Sequence, residues 1–188
     1  DPTPLDYTIT DTTDLTSEPA TITVDYPQTA PTAVDDTATG ISGTPTDVTV
    51  LGNDTDPEND IDPSSVDLDP ASVPGGIGTD TDGDGNIDTV VVPGEGTWSV
   101  DPVTGVVTFT PESGFTGDPS PIDYTVSDVT GLVSLPATIT IDYPQEPPVA
   151  VDDSVVNAAP ASPTNPTTVD VLANDTDPQG DIDPSTVT

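Results

Sequence analysis

Short runs in which apolar and polar residues alternate recur along this chain, each closed by Pro, Gly or Asp. Successive side chains of a strand point to opposite faces, so a period of two marks a strand with one buried face. The pattern predicts strands near residues 32–39, 46–52, 64–69, 87–92, 96–101, 105–110, 121–128 and 135–143. Parity assigns Val48, Val50, Trp98, Val100, Val107, Phe109, Ile122, Tyr124, Val126, Ala137, Ile139 and Ile141 to the inward face. Trp98 to Val100, the turn Asp101 to Gly105 and the run Val106 to Thr110 read as a hairpin. No helical period of useful length is present. Many short strands with regular turn signals predict an all-β protein of Ig-like antiparallel β-sandwich domains.

The same pattern occurs more than once. Residues 1–37 align without gaps on 118–154, an offset of 117, with 24 of 37 positions identical. Val50 to Pro57 then matches Val171 to Pro178 at an offset of 121, which places a four-residue insertion near Ala158–Pro163. The expected organisation is therefore the C-terminal strands of a preceding repeat in 1–28, a complete sandwich in 29–146, and the N-terminal strands of a following repeat in 147–188. Such a chain reads as a window on a longer tandem array; strand donation between incomplete ends is the alternative. The joining segments, Tyr26 to Pro31 and Tyr143 to Pro148, are Pro-rich and stiff, so the array is expected to be elongated.

Composition complicates this picture. Leu, Ile, Val and Phe make up 42 of 188 residues, close to the range of disordered chains, and the formal net charge is −35. There are 30 Asp and 5 Glu but no Lys, Arg, His or Cys. Without basic residues the chain has no means of neutralising nucleic-acid phosphates or an anionic lipid surface. His bases, Cys nucleophiles, Lys Schiff bases, disulfides and Lys–Asn crosslinks are excluded by composition alone. The excess of Asp over Glu suits short oxygen-rich loops, and bound Ca²⁺ would supply the missing positive charge. A chain folded with calcium and marginal without it is the expectation.

Two carboxylate-rich stretches carry that chemistry. In Asp80-Thr81-Asp82-Gly83-Asp84-Gly85-Asn86-Ile87-Asp88, acids at loop positions 1, 3, 5 and 9 with Gly at 6 follow the EF-hand calcium loop. Asp80, Asp82, Asp84 and Asp88 would converge on one ion, with Asn86 adding its carbonyl. Position 12 is Val91 rather than Glu, and no flanking helices are expected, so this is a loop-only site. The second stretch, Asn53 to Asp62, recurs as Asn174 to Asp183, with Asp54, Asp56, Asp60 and Asp62 matched by Asp175, Asp177, Asp181 and Asp183. Asp11 and Asp128 match as well. Capping and turn formation by Asp and Asn is the bland reading of all of these. Asn53-Asp54-Thr55 and Asn174-Asp175-Thr176 also satisfy the glycosylation pattern, where a turn or ligand role is the stronger expectation. Paired acids alone do not make a glycosidase: a raised carboxyl beside an apolar wall and a substrate cleft are also needed, and Trp98 is expected in the core. The chain is read as not an enzyme.

Pro93 to Pro102, Thr104 to Pro111, Gly114 to Gly117 and Pro121 to Asp128 together resemble the CshA-type fibril repeat. Ala33 to Asp36 through Val50 to Pro57 is similar to the cadherin-like repeats of giant adhesins. The first resemblance implies tandem β-domains in a long bacterial surface fibril, outside the cell or in a secreted fibre, and offers no catalytic residues. The second implies that Asp35, Asp36, Asp54, Asp56 and Asp128 meet at one pole of the sandwich and clamp calcium between units. Repetition adds Asp152, Asp153, Asp175 and Asp177, although the cadherin linker motif is absent. The expected role is a calcium-stiffened stalk segment whose partners are neighbouring repeats of the same chain. A self-assembling filament of identical chains is one alternative, and a carbohydrate- or protein-binding module with an exposed aromatic platform is another.

Overall fold

Val, Ile and aromatic residues alternating with Thr, Ser and Asp build two facing sheets in the computed structural model, which describes residues 1–156 and 168–188. In chain order the strands are β1 (Leu5–Tyr7), β2 (Ala20–Ile22), β3 (Asp36–Thr39), β4 (Thr46–Val48), β5 (Asp67–Asp69), β6 (Ile77–Thr79), β7 (Thr89–Val92), β8 (Gly96–Val100), β9 (Val107–Pro111), β10 (Ile122–Thr125) and β11 (Ala137–Asp142). One sheet of the sandwich has the order β3-β11-β10-β5 and the other β4-β9-β8-β7-β6. All pairings are antiparallel except β3 on β11, where Ile139 sits opposite Asp36 and Ile141 opposite Ala38. The fold is the expected all-β sandwich, and its β3–β11 edge departs from the expected antiparallel pairing by being parallel. The insertion expected near Ala158–Pro163 lies outside the described residues.

The core follows the alternation. Val50, Trp98, Val107, Phe109, Ile122, Tyr124, Val126 and Ile139 are fully buried, and Val48, Ala137 and Ile141 nearly so. Each such side chain contributes roughly 1.5–3 kcal/mol for Val-to-Phe-sized groups. Trp98 lies opposite Phe109 across the β8–β9 pair, with ring centroids 4.8 Å apart and the planes tilted by 51°. Val100, the last residue of β8, is only half-buried against the core. Six further residues that parity does not assign complete the core: Val66, Leu68, Val73, Val90, Val92 and Tyr143.

Three elements differ from expectation. The run 46–52 is a strand only to Val48; a 3₁₀ turn over Val50–Gly52 then redirects the chain while keeping Val50 buried. The run 64–69 opens with a 3₁₀ turn over Pro63–Ser65, whose first turn is capped by Asp62 accepting from Ser64 N at 3.0 Å. Edge strand β6 has no counterpart among the expected strands, since Ile77 faces solvent and Gly78 carries no side chain to mark a face.

Residues 1–28 repeat the β10–β11 pairing in the same register: Leu5 opposes Ile22 as Ile122 opposes Ile139. The corresponding faces differ in burial. Leu5 and Ile22 are 65% and 48% exposed, whereas Ile122 and Ile139 are fully covered.

Candidate functional site

Loop 53–62 and the β10–β11 turn are stitched together by main-chain bonds before any side chain is considered. Asp62 N donates to Ser127 O, Val129 N donates to Asp60 O, and Ile61 bridges Asp128. Within the loop, Asp56 Oδ2 accepts from Glu58 N at 3.0 Å and Asp60 N at 3.2 Å. Asn59, at φ 55°, supplies the left-handed residue that this tight wrap requires. In the turn, Asp128 Oδ1 accepts from Thr130 N, Thr130 Oγ1 and Leu132 N at 2.7–2.9 Å, with Gly131 left-handed at φ 87°.

These bonds use one oxygen of Asp56 and one of Asp128 and leave the other. Asp56 Oδ1, Asp60 Oδ1, Asp128 Oδ2 and Glu58 Oε2 are buried and accept no hydrogen bond. Asp56 and Asp128 are 7% and 3% exposed. One oxygen each from Asp56, Asp60 and Asp128 lie within 4.8 Å of one another. Ionised carboxylates held this close repel one another. Burial raises the Asp60 carboxyl above the ordinary carboxylate range, assisted by its contact with Asp56 and the charges of Asp56, Asp128 and Glu58. Burial also pushes Asp128 upward, but hydrogen bonds from Thr130, Leu132 and Gly131 outweigh it and hold the carboxyl low. An ionised Asp128 facing unpaired Asp56 and Asp60 oxygens, in a chain without a cationic side chain, is a set of hard ligands suited to a divalent cation.

The 80–88 loop gathers Asp80, Asp82 and Asp88, again with one oxygen each within 4.8 Å. Its carboxylates are occupied differently. Asp80 accepts from Gly83 N and Gly85 N, Asp82 from Asp84 N, and Asp88 Oδ2 from both Thr81 N and Thr81 Oγ1. Gly83 and Gly85 take φ of 86° and 104°, which only Gly adopts without strain. Asp84, expected among the converging acids, is instead paired with Asn86 through Asn86 N and Nδ2, and Asn86 Nδ2 also reaches Ser64 O at 3.5 Å. This loop can hold a cation, yet its acids already have main-chain and hydroxyl partners.

The expected polar set divides. Asp36, buried, and Asp54 meet on the hydroxyl of Tyr124, at 3.1 Å for Asp36 Oδ2 and 3.0 Å for Asp54 Oδ2. A phenol has one proton, so the two acids share a single donor. Burial lifts Asp36 to about 6, with Tyr124 opposing the shift and the Asp54 charge adding to it. Asp54 is raised too, by burial, against hydrogen bonds from Val34 N and Tyr124. Asp35 accepts from Thr138 N at 2.9 Å across the parallel β3–β11 edge. None of these three joins Asp56 and Asp128 in a cluster within 4.8 Å. Asn53 donates Nδ2 to the carbonyls of Val34 and Asp35, a turn role.

The same wiring recurs at the ends of the chain. Asp11 accepts from Thr13 and Leu15 as Asp128 does from Thr130 and Leu132. Asp175 accepts from Val151 N as Asp54 does from Val34 N, and Asn174 donates to the Asp152 carbonyl. Asp152 and Asp153 are exposed. Asp177 Oδ2 accepts from Gln179 N and Asp181 N, while Asp177 Oδ1 and Gln179 Oε1 are buried without partners. Gln179 Nε2 donates to Pro144 O, and Thr116 Oγ1 donates to Asp181 Oδ2, each at 3.2 Å, so this loop touches the end of the complete sandwich. The expected ligand set omits Asp60, a member of the central cluster, and Glu58, whose buried Oε2 lies in the same loop. The signal is present in the sequence: Asp56, Glu58 and Asp60 are spaced by two, and Asp56 and Asp60 recur as Asp177 and Asp181.

A two-sheet sandwich, a second copy of its last hairpin and acidic loops at fixed repeat positions define a tandem structural module. A family model described as the surface adhesin CshA repetitive domain matches residues 28–141, and the chain belongs to that family. No protein of curated function matches the chain. Among the described residues no helix is long and apolar enough to cross a membrane.

Proposed function

We propose that this chain is a stalk segment of an extracellular bacterial surface fibre, stiffened by calcium held in its acidic loops, and that its role is mechanical. The observation that carries the reading is the pairing of a surface-adhesin repeat with buried carboxylate oxygens that no group of the chain neutralises. Calcium at such positions relieves self-repulsion within a unit and ties loops whose copies recur in the next one, so the array projects rather than coils. Trp98, the only Trp, is fully buried, which supports a scaffold over an aromatic binding platform. The proposed partners are neighbouring repeats of the same chain.

The test is chelation. Removing calcium from the purified chain is expected to lower its thermal midpoint and shorten its longest dimension in small-angle scattering. If both stay unchanged between chelator and millimolar calcium, calcium stiffening is wrong. The stalk role is read separately, by epitope labelling along surface fibres.

A further inference from the structure

Which loop carries the effect of calcium is not obvious from sequence, because 80–88 has the better motif. The hydrogen bonding points elsewhere. Around Asp80, Asp82 and Asp88, main-chain amides and Thr81 already serve the carboxylates. Around Asp56 and Asp128, both more than nine-tenths buried, one oxygen of each acid has no partner, and the unpartnered oxygens of Asp60 and Glu58 are buried too. A buried acceptor with no donor is costly to fold, and more so when charged. A chain lacking Lys, Arg and His has no cationic side chain with which to answer it.

We propose that Asp56, Asp60 and Asp128, joined by Glu58, bind one divalent cation of calcium's type between loop 53–62 and the β10–β11 turn, and that this site governs the metal response of the sandwich. The inference deepens the calcium reading above and rests on it. Carboxylate oxygens from two segments 72 residues apart in sequence, 56 and 128, fit a large hard ion that accepts irregular oxygen coordination. The bound ion staples the two loops at one end of the sandwich. Glu58 sets the charge of the ligand set. Its counterpart is Gln179, whose Oε1 is likewise buried and unpartnered but whose Nε2 is committed to Pro144 O. The two loops therefore differ in strength: the Glu58 loop binds the ion more tightly, and the Gln179 loop spends part of its side chain on the neighbouring segment.

The test uses the whole chain and the fluorescence of Trp98, which reports only on the complete sandwich. Thermal midpoints are measured in chelator and across a CaCl₂ titration for the parent, Asp60→Asn, Glu58→Gln and, as control, Asp82→Asn. The parent and Asp82→Asn are expected to rise together with calcium. Asp60→Asn loses most of the rise, and Glu58→Gln shifts the half-saturating calcium about tenfold upward, as the loss of one charged ligand implies. In chelator the sign inverts: both loop variants are more stable than the parent, because a repelling carboxylate is gone. Simple damage to the fold lowers both values and cannot produce that crossover. A full calcium rise in Asp60→Asn, with the rise lost in Asp82→Asn, overturns this inference and leaves calcium stiffening intact. No rise in the parent overturns both.

Discussion

Tyr124→Phe isolates the buried acid pair. The substitution keeps the ring in the core and removes only the hydroxyl that Asp36 and Asp54 share at 3.0–3.1 Å. In the parent, the Asp36 carboxyl stands at about 6 against an ordinary 3.8, so the folded chain holds that proton more tightly than the unfolded one. A pKa raised on folding adds stability that is complete below the unfolded value and is lost as pH rises through the folded one. Between pH 7.5 and 4.5 protonation of Asp36 therefore adds about 2 kcal/mol, at about 1.36 kcal/mol for each tenfold gain in proton affinity and with allowance for solvent screening. The variant responds to pH more steeply. At pH 7.5 two ionised acceptors lose their donor, a loss of about 1.5–3 kcal/mol for hydrogen bonds to charged groups. At pH 4.5 Asp36 is protonated, so one ionised acceptor fewer loses its donor and the loss falls to about 1 kcal/mol. Urea denaturation followed by Trp98 fluorescence, in metal-free buffer, measures both values. Taking the difference between parent and variant at each pH cancels the titration of every acid that does not touch Tyr124, leaving the Asp36–Asp54 pair. A loss that is equal at the two pH values, or larger at 4.5, refutes the shared-proton arrangement.

Three further outcomes follow from packing and charge. Gly96→Ala is expected to lower stability by about 1–3 kcal/mol, because a Cβ there would lie 2.4 Å from Thr110 O and 2.7 Å from Phe109 Cζ. Gly117→Ala, with nothing within 4 Å, should stay within about 0.5 kcal/mol of the parent in the same denaturation assay. Raising NaCl from about 0.02 to about 0.5 M should increase the thermal midpoint steadily, since screening can only relieve repulsion when no opposite side-chain charge exists to be weakened. A fall in the midpoint would contradict that reading of the net charge.

Much of the sandwich is legible in the alternation, because burial on one face is a local property of each strand. Trp98 with Phe109, Ile122 with Tyr124 and Ala137 with Ile139 lie inward as parity requires. What alternation misses is set by neighbours. Val73 is buried from a turn, where no period of two exists to mark it. The parallel docking of β3 on β11 has no local signature, since a strand's apolar face is the same whichever way its partner runs. Tyr143 belongs to the core because its hydroxyl meets Thr46 Oγ1 at 3.1 Å across the sandwich, 97 residues away in sequence.

The candidate site teaches the same lesson more sharply. Motif spacing favours 80–88, and it does bring Asp80, Asp82 and Asp88 together. Yet spacing reports where acids are, whereas cation binding depends on which oxygens are left without a donor. In most proteins Lys and Arg blur that distinction by pairing with whatever carboxylate is nearby. Here they are absent, so each buried oxygen must be met by an N–H, a hydroxyl or an ion. The 80–88 acids find amides and Thr81, and Asp36 and Asp54 find Tyr124. Asp56, Asp60 and Asp128 each retain a buried oxygen that none of these reaches. The composition that first suggests a disordered polyanion is thus what makes the cation site identifiable, because it removes every cationic side chain that could otherwise answer a buried charge.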